Sequence, residues 1–299
     1  MIYQSTLAAN SFAEQTIIVT GGGSGIGRCT AHELASLGAN VILLGRTQAK
    51  LDSVAAEISE DGGRVDSYAL DIRDEEAVTA CIAAMVEKYG VIHGLVNNAG
   101  GQFPSAMERI SKKGFEAVVA SNLTGGFLMS REVFKQSMKS NGGAIVNITA
   151  DNLNGMPNMG HSGAARAGVE NLTKTQAWEW GNYGVRVNAV APGWVNSSGF
   201  DTYPEAIKEV IRNLKYNVPL KRVASEAEIS SVLCFLLSQG ANYISGQTLR
   251  VDGASSLGSS TVVCPLPKGE GRNSESFNGF HRAVLPKVMQ DENKSGSIK

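Results

Sequence analysis

Thr20-Gly21-Gly22-Gly23-Ser24-Gly25-Ile26-Gly27 follows directly on the apolar run Thr16–Thr20 (TIIVT) and opens an amphipathic segment, Ile26–Leu37. A Gly-rich run alone is often only a flexible turn. Between a strand and a helix it has a narrower meaning, because the chain must turn sharply, let a pyrophosphate approach its backbone and present helix N-terminal amides to the anion. Side chains at Gly21, Gly25 or Gly27 would block that approach. Gly21, Ser24, Gly25, Ile26 and Gly27 are therefore the candidate pyrophosphate contacts.

The glycines of this turn belong to a wider excess. The chain of 299 residues has 34 glycines, about 11% against about 7% in an average protein. They show no three-residue period and sit among 42% hydrophobic residues, which excludes a collagen-like or a disordered Gly-rich chain. Five fall within Gly21–Gly27, and Gly45, Gly100, Gly101, Gly193 and Gly253 stand at expected strand–helix junctions. Lys plus Arg is 27 and Asp plus Glu is 28, so the net charge is −1 and nucleic acid is not an expected partner.

Met1–Thr16 has no basic start and no continuous apolar core, unlike a signal peptide. Apolar runs such as Val232–Leu237 fall far short of the ~20 residues that span a bilayer, so no membrane association is expected. Cys29, Cys81, Cys234 and Cys264 are widely separated and read as free thiols of a reducing cytoplasm. No His/Cys cluster has zinc-ligand spacing, so no metal is expected.

Outward from the glycine turn, short β-branched runs alternate with longer amphipathic ones. Thr16–Thr20, Val41–Leu44, Val65–Leu70, Ile92–Val96, Ala144–Thr149, Val185–Val190 and Thr248–Val251 read as strands. Ile26–Leu37, Gln48–Glu60, Glu75–Lys88, Glu116–Ser140, Ala164–Gly181 and Glu226–Leu237 read as helices, with apolar residues three and four apart. Several of these strands are nearly all apolar, which suits a parallel sheet covered on both faces. The expected fold is α/β, a single Rossmann-type doubly wound parallel sheet of about seven strands. One domain is expected over 12–253, with an insertion at about 197–220. Residues 254–299 form a tail in which only Phe277–Met289 carries enough apolar residues to dock.

The second strand ends at Leu44-Gly45-Arg46-Thr47. NAD binders usually place a carboxylate near this point for the ribose 2′-hydroxyl. Gly45 and Arg46 stand there instead, and a guanidinium can pair with a 2′-phosphate. NADP(H) is expected over NAD(H).

With Leu70-Asp71-Ile72, Asn97-Asn98-Ala99-Gly100, Asn122 and Ala191-Pro192-Gly193-Trp194-Val195 in this order and spacing, the chain resembles the short-chain dehydrogenase/reductase family over about residues 12–253. The resemblance implies that Asp71 and Ile72 contact adenine and that Asn98, Ala99 and Gly100 line the ribose side. It implies that Pro192, Gly193 and Val195 frame the carboxamide, that Ser197 lies near the phosphates, and that Asn122 shapes the active site. It also implies subunit pairing through the helix carrying Trp178 and Trp180, hence a homo-oligomer, dimer or tetramer.

The family's Tyr-x-x-x-Lys is missing, since none of the seven tyrosines has Lys or Arg four residues later. Its tyrosine falls on Ser162 and its lysine on Arg166, which counts with both the catalytic and the cofactor-binding candidates. The upstream serine falls on Thr149 or Ala150. Serine is too weak an acid, and arginine too firmly charged, to replace that pair as a proton relay. Both donate hydrogen bonds, which suits stabilisation of a developing enolate oxygen. The segment HSGAARAGVENLTK, from His161, resembles the peroxisomal trans-2-enoyl-CoA reductases and, more distantly, the 2,4-dienoyl-CoA reductases. Ser197–Tyr203 and FNGFHRAVLPKVM resemble a bacterial citronellol/citronellal dehydrogenase-like branch.

The expected activity is NADP(H)-dependent reduction of the C=C of an enoyl thioester, with Asn122, Ser162, Arg166 and Asp151 as candidate catalytic residues. The expected partner is a small hydrophobic substrate, such as an acyl-CoA, held by Gly101–Met107, Asn152–Gly160, Trp194 and Phe200–Leu220. Two alternatives stand beside it. One is a dehydrogenase of a terpenoid or other hydrophobic alcohol or aldehyde, in which His161 or Asp151 handles the proton. The other is a non-catalytic NADP(H)-binding protein.

Overall fold

In the computed structural model, which describes residues 2–203, 205–257, 266, 268–269 and 275–290, seven strands form one parallel sheet. They are β1 (Thr16–Thr20), β2 (Asn40–Gly45), β3 (Arg64–Ala69), β4 (Gly94–Asn97), β5 (Gly143–Ile148), β6 (Val185–Pro192) and, at the far edge, β9 (Thr248–Val251). Their order, β3-β2-β1-β4-β5-β6-β9, reverses direction between β1 and β4. A doubly wound sheet opens its binding crevice at such a switch, outside the carboxyl ends of the strands. A two-residue parallel pair, β7 (Val195–Asn196) and β8 (Ala224–Ser225), forms a separate small sheet.

Ile17, Ile18 and Val19 of β1 are buried because helices cover both faces of the sheet. On one face, α1 (Gly25–Ser36), α2 (Gln48–Glu60) and α9 (Glu226–Leu237) contribute Leu34, Leu51, Val54 and Leu233. On the other, α3 (Glu75–Tyr89) and α5 (Gly125–Val133) contribute Ile82, Met85, Met129 and Val133. The expected α/β fold and doubly wound parallel sheet are both observed.

Two helices depart from the sequence pattern in ways that matter for the site. The helix expected over Glu116–Ser140 starts earlier, as α4 (Lys112–Val119), because Ser111 accepts a hydrogen bond from the Gly114 amide at 3.1 Å. A π-helical turn, Ala120–Thr124, joins α4 to α5, and a second, Phe134–Met138, joins α5 to α6 (Lys139–Asn141). Apolar spacing cannot distinguish such a turn from regular helix, and π-bulges are frequent at functional sites. The helix α7 (Gly160–Trp180) begins four residues before the expected Ala164, so His161 and Ser162 lie in its first turn. Trp180 stacks on Phe134 with ring centroids 4.3 Å apart, while Trp178 is 89% exposed.

The tail docks through the apolar segment that stood out in the sequence. Phe280 is buried against Tyr3, Cys29 and Ala227, and Arg282 bonds Asp61 at 2.8 and 3.0 Å. That guanidinium holds the Asp61 carboxyl down at about 2. Further on, α10 (Lys287–Gln290) packs Val288 and Met289 against Phe200, Ile211 and Leu214 of the insertion, which contains α8 (Lys208–Asn213). Cys29 and Cys234 are buried free thiols and Cys81 is half-buried. Cys264 lies outside the described residues.

Candidate functional site

The turn between β1 and α1 is shaped by the absence of side chains. A Cβ at Gly27 would collide with the Gly21 carbonyl oxygen and the Asn98 side chain, and Gly21 has φ +67°. The Asn98 amide donates to the Thr20 and Gly21 carbonyls at 3.0 and 3.3 Å, and the Asn98 and Ala99 backbone amides donate to Thr20 Oγ1, each at 3.0 Å. β4 is thereby tied to the turn. The Ser24 side chain is exposed and caps nothing, and no acidic residue occupies the first turn of α1. The N-terminal amides of α1 therefore remain open to an anion. Ile26 packs partly on the core below, and Ser197 approaches Gly25 from the other side.

From this turn a cleft of about 390 Å³ runs between the ends of β2 and β3, lined by Arg46, Lys50, Asp71, Ile72, Arg73 and Gly100 among others. Asp71 is paired with Arg73, which holds its carboxyl at about 2. Arg46 and Lys50 pair with no carboxylate among the described residues. Lys50 and Arg73 were not singled out in the sequence. The usable signal was that Lys50 lies in the first turn of α2, four residues beyond Arg46.

At the opposite edge, Gly193 closes on β9, its amide bonding the Val251 carbonyl at 3.0 Å, and a Cβ there would strike Asp252. The Pro192 carbonyl accepts from the Asp151 amide at 3.2 Å, placing Asp151 at the end of β6, and Val195 is buried beside it. Burial is the main cause that pushes the Asp151 carboxyl upward.

Asn122 lies in the first π turn, buried, with its side chain clamped to Gly101: Oδ1 accepts from the Gly101 amide at 2.9 Å and Nδ2 donates to the Gly101 carbonyl at 2.8 Å. The same Oδ1 accepts from Arg166 Nη2 at 3.3 Å, and Arg166 Nη1 donates to the Ile148 carbonyl at 2.6 Å. A Cβ at Gly100 would fall against both Asn122 Oδ1 and Arg166 Nη2, so this glycine lets the strand end pass over them. Arg166 is buried, and among the described residues its Nε has no partner. Burial lowers its pKa to about 10, which leaves it charged at neutral pH. A buried cation that faces only neutral acceptors is costly to fold, and such groups concentrate at functional sites.

Ser162, one helical turn before Arg166 on the same face of α7, is fully buried, and its hydroxyl donates to Gln102 Oε1 at 2.6 Å. Gln102 in turn donates to the Tyr203 hydroxyl at 3.3 Å. His161 is also fully buried: Nδ1 accepts from the Ser162 amide at 2.8 Å, Nε2 has no partner among the described residues, and the Phe103 ring stands edge-on at 4.4 Å. The Gln102–Phe103 turn thus covers this pair, a latch that loop composition did not reveal. Thr149, one of the two positions on which the family's serine falls, donates to the Arg166 carbonyl at 3.1 Å and points into α7.

A protein-family profile described as enoyl-(acyl carrier protein) reductase matches residues 21–255. The peroxisomal 2,4-dienoyl-CoA reductase of Danio rerio is 31% identical over 264 residues, covering 87% of this chain and 88% of that protein. A 3-oxoacyl-[acyl-carrier-protein] reductase of Thermotoga maritima is 34% identical over 237 residues, covering 79% of this chain and 95% of that one. Among solved structures, a citronellol catabolism dehydrogenase of Pseudomonas aeruginosa PAO1 superposes with a TM-score of 0.77 at 56% identity, covering 85% of this chain and 100% of that chain.

Proposed function

The chain belongs to the short-chain dehydrogenase/reductase family, whose members are NAD(P)-dependent oxidoreductases, and within it we propose that this protein uses NADP(H) to reduce the C=C of an enoyl thioester. A nicotinamide cofactor held along the cleft would supply the hydride. Gly21, Ser24, Gly25, Ile26, Gly27 and Ser197 would seat its pyrophosphate, Asp71 and Ile72 its adenine, and Asn98, Ala99, Gly100, Pro192, Gly193 and Val195 its nicotinamide half. Arg46 and Lys50 favour a 2′-phosphate, because both cations line the cleft and, among the described residues, neither forms an ion pair. Arg46→Ala is expected to lower the NADP+/NAD+ affinity ratio about tenfold or more. An unchanged ratio, measured by calorimetry, would remove the preference.

The observation that carries the reaction class is Arg166, a buried guanidinium beside Asn122 with no carboxylate to neutralise it among the described residues. When a double bond conjugated to a thioester accepts hydride at its β-carbon, negative charge grows on the carbonyl oxygen. A fixed cation and oriented donors lower that barrier with no proton transfer at the oxygen. Arg166 supplies the charge, Asn122 orients it, and Ser162 supplies a second donor once Gln102 releases its hydroxyl. Asp151, whose burial favours the protonated form, stands at the β6 edge as the candidate donor to the α-carbon. Exposed Phe103, Met107, Leu153 and Leu220 rim this end and suit an apolar acyl chain. Exposed Trp178 on α7 supports subunit pairing, dimer or tetramer.

A second reading, oxidation of a terpenoid alcohol or aldehyde, is favoured by the 56% identity to the citronellol catabolism dehydrogenase. His161, with its unpartnered Nε2, would then move the proton. Two assays separate the readings: NADPH consumption with a panel of trans-2-enoyl-CoAs, and NADP+ reduction with citronellol. Turnover in the first alone supports the thioester reading. Turnover in the second alone, lost in His161→Ala or Asp151→Asn, supports the alcohol reading, and cofactor binding without either turnover supports a non-catalytic protein.

A further inference from the structure

Glu226, the first residue of α9, is buried to 9% exposure, and among the described residues its carboxyl accepts no hydrogen bond and forms no ion pair. Its placement follows from the start of the helix. Ser225 caps α9 through a reciprocal capping box with Glu228 and also donates to the Phe277 carbonyl at 2.6 Å, which brings the tail across this end. Glu226 is thereby turned towards the glycine turn. A Cβ at Gly25 would lie 3.9 Å from Glu226 Oε1 and 3.8 Å from Ser197 Cβ. The carboxyl therefore stands at the N-terminus of α1, beside the residues that would seat the pyrophosphate.

The charged and titratable groups around it do not neutralise it. From α1, Arg28 is the nearby cation, but Glu57 holds it at 2.8 and 3.0 Å; Cys29 and Glu33 lie behind it with Tyr3. On α9, Glu228 is paired with Arg222. From the tail, His281 and Arg282 are turned to Asp61. A cavity of about 300 Å³, lined by Asn196, Ser225, Glu226, Phe280 and Leu285 among others, opens beside the carboxyl and gives it a route for proton exchange with solvent. Burial pushes the Glu226 carboxyl up to about 7.

We propose that Glu226 couples cofactor binding to uptake of one proton, the carboxyl being neutral whenever a pyrophosphate occupies the glycine turn. A carboxylate facing a pyrophosphate in a site of reduced dielectric repels it, whereas the neutral acid does not and keeps an O–H to donate. The inference deepens the cofactor reading above and rests on it. The sign follows: binding raises the affinity of Glu226 for its proton, so cofactor affinity is greatest below the free protein's titration and falls as pH rises through it.

The test is calorimetric titration with NADP+ from pH 6 to 9, on the wild type and Glu226→Gln. The wild-type dissociation constant is expected to weaken by up to about tenfold per pH unit above neutrality, relative to Glu226→Gln. The cofactor's own 2′-phosphate titrates near pH 6 and affects both proteins alike. At pH 8 the wild type is expected to take up close to one proton per cofactor, read from the dependence of the heat on buffer ionisation enthalpy, and the variant none. Identical pH profiles, or no proton uptake by the wild type at pH 8, would overturn the proposal. The uptake measurement decides it even if the variant does not fold. Binding with unaltered pH dependence refutes only the role of Glu226, whereas absence of any binding by the wild type refutes the cofactor reading as well.

Discussion

Arg166→Met is expected to lower kcat/KM with the productive substrate by about 10²–10³-fold, the scale associated with losing one group that stabilises a developing oxyanion. The methionine keeps much of the side-chain volume and removes a buried charge that no carboxylate among the described residues balances, so the packing term is small. One hydrogen-bond acceptor, the Ile148 carbonyl now bonded at 2.6 Å, loses its donor, at about 1–3 kcal/mol. Asn122 keeps both its bonds to Gly101. The folded fraction and NADP+ binding should therefore survive, with affinity reduced about tenfold at most, and kcat should carry most of the loss. Arg166→Lys adds a pH readout. Arg166 itself titrates only at about 10, so wild-type activity should not fall near neutrality through this residue. A buried lysine has a lower pKa to begin with, so activity of the Lys variant should fall at lower pH than that of the wild type. A Met variant of near wild-type kcat would show that the guanidinium only fills space.

Gly27→Val is expected to eliminate measurable cofactor binding, a loss of about 10²-fold or more, and to destabilise the fold by at least about 1–3 kcal/mol. The effect is large because the added Cβ meets the Gly21 carbonyl and the Asn98 side chain, which are themselves bonded together at 3.3 Å. Backbone in a tight turn cannot swing aside as a flexible side-chain end can. Gly181→Ala is the contrasting case. Gly181 follows α7 with ordinary φ, and a Cβ there meets nothing within 4 Å, so its thermal midpoint and NADP+ affinity should match the wild type. Equal effects of the two substitutions would mean that glycine at 27 is not required by close approach.

These two residues also mark what could be read from the sequence and what could not. Gly27 was legible because its requirement is local: a strand end, a tight turn and a helix start need a backbone without Cβ, and the spacing records that. The sheet was legible for a similar reason, since β1, β2, β4, β5 and β6 are short, mostly apolar runs separated by helical periods. Arg46 could be placed because it directly follows β2. The setting of Arg166 was less accessible. Its partners are a carbonyl at the end of β5 and an asparagine held in a π turn, and apolar spacing over 116–140 does not distinguish that turn from α-helix. The covering of Ser162 by Gln102 joins residues 60 positions apart, and no composition rule foretells such a pair. Docking of the tail could be anticipated from Phe277–Met289. Its seat could not, because Phe280 and Arg282 find Ala227 and Asp61 only after α1, α2 and α9 have packed.

Stabilisation of an enolate by the buried Arg166 cation directs hydride to carbon. Its most direct test is the fate of deuterium from NADPH deuterated at the transferable C4 position, incubated with a trans-2-enoyl-CoA and the wild-type protein. Mass spectrometry and NMR of the thioester are expected to show a saturated product with one deuterium at C3 and solvent hydrogen at C2, and Arg166→Met should form it about 10²–10³-fold more slowly. Unchanged enoyl-CoA across the panel, with deuterium delivered instead to the carbonyl carbon of an aldehyde such as citronellal, would contradict the account.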